Sequence, residues 1–137
     1  MTTMIDTGVL ISALDPTHAL HSWAKDQIAD CKSEGPIIIS DIVFCEFSAG
    51  MPDEASANTA VTSLSIEMVR ANRSALFAAG QKFKEYKEIN DGPKLGVLPD
   101  FLIGAVAHSL GVKLVTTNEK DFVRRFPDLE IVSPPRN

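Results

Sequence analysis

The sequence predicts a three-layer α/β/α domain built on a central, mostly parallel sheet of about five strands, and three observations carry that expectation. Short apolar or β-branched runs bounded by turn residues recur five times, at Thr2–Asp6, Pro36–Ser40, Ser65–Val69, Lys113–Thr117 and Glu130–Val132. Segments of helical periodicity separate them, and such alternation favours parallel pairing because each crossover has room for a helix. The length of 137 residues, 45% hydrophobic and 23% charged, suits one globular core, so residues 1–137 are read as a single domain.

The elements follow in order. The first strand closes on Asp6, and Thr7-Gly8 follows it, which would set the Asp6 carboxylate at the upper rim of the sheet. Asp15-Pro16 reads as an N-cap with proline at the first helical position, leading into a helix over Ala19–Cys31. Leu20, Trp23, Ala24, Gln27 and Ile28 share one face of it, and the Leu20, Trp23 and Ile28 stripe is expected to pack in the core. After the second strand comes a helix with Asp41, the apolar run Ile42–Phe47 and, inside that run, Glu46; Gly50, Met51 and Pro52 end it. Asn72 is a suitable cap for a long helix to about Ile89, with a stripe of Leu76, Ala79, Gly80 and Phe83. The loop Asn90–Leu98 is rich in turn residues. Pro99 then opens a nearly all-apolar helix, Phe101–Leu110, which Gly111 terminates.

Several function classes are excluded or weakened. The longest apolar stretch, Phe101 to Ala107, is too short to span a bilayer, and the N-terminus lacks the basic-then-apolar pattern of a secretion signal. No membrane association and a cytoplasmic location are therefore expected. Cys31 and Cys45 lie in apolar helical patterns without zinc-type spacing and are read as reduced packing residues. No phosphate-binding glycine loop and no Ser-His-Asp or Cys-His arrangement is recognisable. His18 and His21 read as surface residues, and His108 as a ring packed near a helix end. The net charge of −5 counts against a phosphate-backbone partner, yet it is lopsided. Residues 1–69 hold 2 basic and 10 acidic groups, net −8, whereas residues 70–137 hold 11 and 8, net +3. Lys82, Lys84, Lys87 and Lys94 are candidates for meeting phosphates, although such a run is usually a solvated face.

The acids carry the chemistry. In a parallel α/β sheet, ligands collect beyond the carboxyl ends of the strands. Asp6 ends the first strand, Glu46 lies in the helix after the second, Asp100 sits in the first turn of the Pro99 helix, and Asn118 and Asp121 follow the fourth strand. Each has a plain structural reading: Asp6 as a turn residue, Glu46 as a solvent-facing side chain, Asp100 as a dipole partner, Asp121 as a cap. Together they form an oxygen-rich rim of the kind that Mg²⁺ or Mn²⁺ prefers. One or two such ions support phosphodiester hydrolysis with no nucleophilic Ser or Cys.

Four stretches then carry a resemblance: Met4-Ile5-Asp6-Thr7, Ile39–Phe47, Pro99-Asp100-Phe101-Leu102-Ile103-Gly104-Ala105 and Leu114–Phe122. In this order, over nearly the whole chain, they resemble PIN domains, and more narrowly the VapC-type toxins of bacterial toxin-antitoxin pairs. The resemblance implies a PIN-like fold and a Mg²⁺- or Mn²⁺-dependent endoribonuclease that cuts RNA such as tRNA or rRNA and is inhibited by a cognate antitoxin protein. It implies that Asp6, Glu46 and Asp100 are the core catalytic metal ligands and Asp121 the fourth, with Thr7 and Asn118 supporting the site. A homodimer is a further expectation. Two alternatives stand beside this: a phosphatase or phospho-acceptor domain, for which Asp6-Thr7-Gly8 lacks the second acid, and a catalytically weak subunit that acts by binding a DNA-binding antitoxin.

Overall fold

The central strands form because their sequences bury on both sides. In the computed structural model, which describes residues 1–89 and 97–135, the strands are β1 (Thr3–Ile5), β2 (Ile37–Ser40), β3 (Ile66–Val69), β4 (Lys113–Val115) and β5 (Ile131–Val132). They pair in the order β3-β2-β1-β4-β5, and every pairing is parallel. All residues of β1 and β2 are buried, which requires helices on both faces, as in other all-parallel sheets. All five predicted strands are present, each trimmed by one or two residues at an end.

The helices are α1 (Thr7–Leu14), α2 (His21–Glu34), α3 (Asp41–Ser48), α4 (Glu54–Ser63), α5 (Arg73–Ile89), α6 (Leu98–Leu110) and α7 (Lys120–Val123). None of the described helices is long and apolar enough to cross a membrane. The expected caps of α5 and α6 are present. Asn72 accepts the amide of Ala75 at 2.8 Å, Pro99 sits in the first turn of α6, and Gly111 ends α6 at φ 65°, a left-handed conformation that glycine adopts without penalty.

Five readings need correction. The plain reading of Asp6 as a turn residue beside Thr7-Gly8 fails: Asp6 caps α1, accepting the amide of Thr7 at 2.8 Å, and the helix begins at once. Asp15-Pro16 does not start a helix; Asp15 ends α1 and folds back on Thr17, accepting its amide and its hydroxyl. The next helix starts only at His21, after a connection in which the His18 and His21 rings contact the Ser12 hydroxyl and carbonyl. Cys45 is exposed while Cys31 is buried, because the core face of α3 is taken by Val43 and Phe47, one helical turn apart, with Ile42 and Phe44 packed beside them. On α5 the inward residues are Ala75, Ala79 and Tyr86, with Phe83 packed beside them, so Leu76 and Gly80 face outward. Of the α2 stripe, Ile28 is fully in the core, whereas Trp23 and Leu20 are half-buried. Lys94 and most of the turn-rich loop lie outside the described residues.

The core joins the sheet to α6. Phe101, Ile103, Ala105, Val106 and Ala107 are buried along α6, and Gly104 lets the Phe126 ring come so close that an added Cβ would lie 2.4 Å from it.

Candidate active site at the sheet's switch point

The strand order reverses direction at β1: the chain moves one way to β2 and β3, then returns to β4 on the other side. Crevices at the carboxyl ends of such a pair are where α/β sheets bind ligands. Asp6 leaves β1 at that point and Thr116 leaves β4, and the two meet across it. The Thr116 hydroxyl donates to Asp6 Oδ2 at 2.7 Å, while the Thr7 amide donates to Asp6 Oδ1. Asp6 is therefore a clamped carboxylate, only 8% exposed. Burial pushes its carboxyl above the usual range, the hydrogen bonds from Thr116 and Thr7 oppose that rise, and the nearby Glu46 and Asp121 charges add to it.

Gly8 explains why α1 can start so close to β4. A Cβ there would lie 2.5 Å from the Thr117 hydroxyl, so a side chain would push the α1 N-terminus away from the loop that carries Asn118.

The other acids arrive on separate elements. Glu46, on α3, is exposed and accepts the Thr7 hydroxyl at 2.8 Å. That contact answers the question its sequence context raised: the charge avoids the apolar interior and is tied to the rim. Asp100 lies in the first turn of α6, half-buried, and its carboxyl is pushed up to about 7. Burial is the main cause, followed by the charges of Asp121, Asp6 and Glu46, and by a hydrogen bond with Asp121. Asp121, in α7, also accepts the side-chain amide of Asn118. All four predicted acids thus sit within electrostatic reach of one another, and Thr7 and Asn118 each hold one of them.

Thr116 was missed. In the sequence it is one more β-branched residue at a strand end, and only the parallel pairing of β1 with β4 reveals that its buried hydroxyl serves Asp6. It also accepts the Asn118 amide at 3.1 Å, so one side chain links two rim residues.

The donors are all oxygens and all acidic, the set that suits a hard divalent cation. Among the described residues no three His, Cys, Asp or Glu side chains form a ready-made metal-holding group, so a cation would have to draw the carboxylates together. A cation held there would displace the proton that burial and the neighbouring acids keep on Asp100.

Two measurable consequences follow. Replacing Thr116 with Val removes a charge-assisted hydrogen bond to Asp6, and such supports of a metal site are typically worth about 10–100-fold in affinity or activity. Thr116→Ser should retain most of both, as judged by Mn²⁺ titration and turnover. The raised carboxyls also set a pH dependence. Folded Asp100 holds its proton more tightly than the unfolded chain does, so the stabilisation is complete below the ordinary value of 3.8 and is lost as pH rises towards about 7. Discounted for solvent screening at a half-exposed group, the loss is about 1–2 kcal/mol. Asp6 shifts in the same direction. Urea midpoints in chelator should fall across this window, and Asp100→Asn should flatten the fall.

Fold and rim together define an α/β protein with an acidic switch-point site. The chain belongs to the PIN domain family, whose model matches residues 3–126. It is 26% identical over 132 residues to Ribonuclease VapC10 of Mycobacterium tuberculosis, spanning 96% of this chain and 91% of that protein. Among solved structures, its fold is similar to that of VapBC2 from Rickettsia felis bound to a DNA fragment from their promoter. The TM-score is 0.72 at 20% identity, covering 97% of this chain and 98% of that one. It is also similar to a toxin-antitoxin complex from Klebsiella pneumoniae, with TM-score 0.70, 23% identity and coverage of 98% and 99%.

Proposed function

We propose that residues 1–137 form one nuclease unit, a Mg²⁺- or Mn²⁺-dependent endoribonuclease that is the toxin of a toxin-antitoxin pair. The observation that carries this reading is the convergence of Asp6, Glu46, Asp100 and Asp121 on the β1–β4 switch point of a PIN-family chain. The similar VapC10 is a ribonuclease, and the similar Klebsiella complex pairs a toxin with an antitoxin, which supports RNA as substrate and an antitoxin as partner.

Asp6, Glu46, Asp100 and Asp121 are the residues that would hold the cation. Bound there, it supplies Lewis-acid charge that makes water a better nucleophile and stabilises a leaving oxygen. The chain's own groups do the rest. Thr116 and the Thr7 amide fix both oxygens of Asp6, so that this ligand is preorganised. The Thr7 hydroxyl holds Glu46 and the Asn118 amide holds Asp121, which keeps the two more exposed acids turned to the rim. Asp100, with its carboxyl near 7, is the group whose proton leaves when the site is loaded.

Incubating the purified chain with RNA and either cation should give discrete cleavage that EDTA stops and added Mn²⁺ restores. Cleavage that EDTA leaves undiminished would overturn the metal assignment, and intact RNA under all conditions would overturn the ribonuclease assignment.

A further inference from the structure

Beside the acid rim lies a second concavity, a cavity of about 300 Å³ between the loop 117–120 after β4, the tail Ser133–Pro135 after β5, and Leu20 from the α1–α2 connection. It shares Asn118 with the rim, and Asn118 holds Asp121. The cavity and the acids are therefore two parts of one surface at the carboxyl edge of the sheet.

Its chemistry is mixed in a specific way. Leu20, Pro134 and Pro135 supply apolar walls, Thr117, Asn118 and Ser133 supply hydroxyl and amide groups, and the neighbours Glu119 and Lys120 add one carboxylate and one exposed cation. The Ser133 hydroxyl donates to Glu119 at 3.0 Å, which ties the tail to the loop and fixes the mouth between them. A purely apolar groove would suit a helix face, and a purely basic one a bare phosphate. Apolar walls with a polar rim that holds one carboxylate acceptor and one lysine suit a flat ring with hydrogen-bond donors on its edge, whose attached anion lies on the lysine side.

Resting on the ribonuclease reading, we infer that this cavity is the subsite for the nucleobase of an RNA nucleotide adjoining the scissile phosphodiester. The base lies between Leu20 and the Pro134–Pro135 tail, the loop amide and hydroxyl groups meet its edge, and Lys120 faces the flanking phosphate. Sequence preference in cleavage then comes from this pocket, since the acids recognise only the phosphodiester. The cavity volume lies at the small end of ligand pockets, roughly 300–1,000 Å³, so it admits one nucleotide and not a stacked pair.

The test separates binding from cleavage. Nucleoside 5′-monophosphates are titrated in EDTA onto the isotopically labelled wild-type chain and onto Leu20→Trp, which fills the cavity from a half-buried position. Amide shifts should cluster at Leu20, residues 117–120 and Ser133 in the wild type, with at least one base favoured, and the variant should bind at least tenfold more weakly. On RNA with Mn²⁺, Leu20→Trp should raise KM about tenfold or redistribute the cut sites, while kcat changes less than about threefold. Hydrolysis of the small diester bis(p-nitrophenyl) phosphate, which has no base, should be unchanged. Nucleotide shifts that fall elsewhere, or a variant that binds and cuts like the wild type, would overturn the subsite. Base binding in this cavity by a chain that leaves all RNA intact would uphold the pocket and sink the nuclease reading instead.

Discussion

Asp100→Asn is expected to abolish RNA cleavage while the protein stays folded. Asp100 sits where the charges of Asp121, Asp6 and Glu46 meet, and its carboxyl is held near 7 by burial and by those neighbours. Asparagine keeps the shape and gives up the charge. Without a cation the fold loses nothing, because a repulsive carboxylate has been removed, and above pH 7 the variant should be slightly more stable than the parent. With a cation, the site loses one of its anionic oxygen donors. A loss on the order of 10³-fold or more, about 4 kcal/mol of transition-state stabilisation, is the expected scale. Asp6→Asn should behave alike in cleavage, and single-turnover assays at saturating Mn²⁺ measure both.

Phe101→Ala is expected to give the largest loss of stability. Its ring is 1% exposed, with the Tyr86 ring 5.8 Å away, the Phe83 ring 6.2 Å away, and the Arg125 guanidinium 5.0 Å from its centroid. Truncating a buried phenylalanine typically costs about 3–5 kcal/mol, through lost burial and the cavity left behind. That is a large part of the roughly 5–15 kcal/mol that holds an ordinary domain together. Phe101 also joins α5 to α6 one residue after Asp100, so the packing that stabilises the fold is the packing that aims the carboxylate. Urea unfolding should therefore separate the neighbours: Asp100→Asn near the wild-type midpoint, Phe101→Ala far below it, and Phe101→Leu between.

How much of this was legible before the structure depends on how local the cause is. Pro99 opening α6, Gly111 ending it and Asn72 capping α5 are decided within four residues of chain, and all three stand in the structure. The strands were legible because both faces of the central ones are buried, which forces uninterrupted runs such as Ile37-Ile38-Ile39. Asp6, Asp100 and Asp121 were legible because each falls just beyond a strand's carboxyl end or at a helix start, and Glu46 because a charge inside the apolar run Ile42–Phe47 needs a partner or solvent.

The failures share one physical reason: a local signature was overruled by a partner that the sequence pattern did not show. Thr7-Gly8 has the composition of a turn, but its glycine is there because the Thr117 hydroxyl occupies the space a Cβ would need. Asp15-Pro16 has the composition of a cap, yet the aspartate is more stably used by Thr17 two residues on. Thr116 carries no local mark at all, since its partner Asp6 is 110 residues away in sequence and beside it only through the β1–β4 pairing.

Calorimetric titration of Mn²⁺ into the wild-type chain at pH 7 measures whether the four carboxylates close on a divalent cation. Binding should be saturable, with a fraction of a proton released, as revealed by buffers of different ionisation enthalpy, because the Asp100 carboxyl titrates near 7. Asp6→Asn and Asp100→Asn should each weaken it severely. Absence of binding by the wild type, or equal affinity in the variants, would contradict the account.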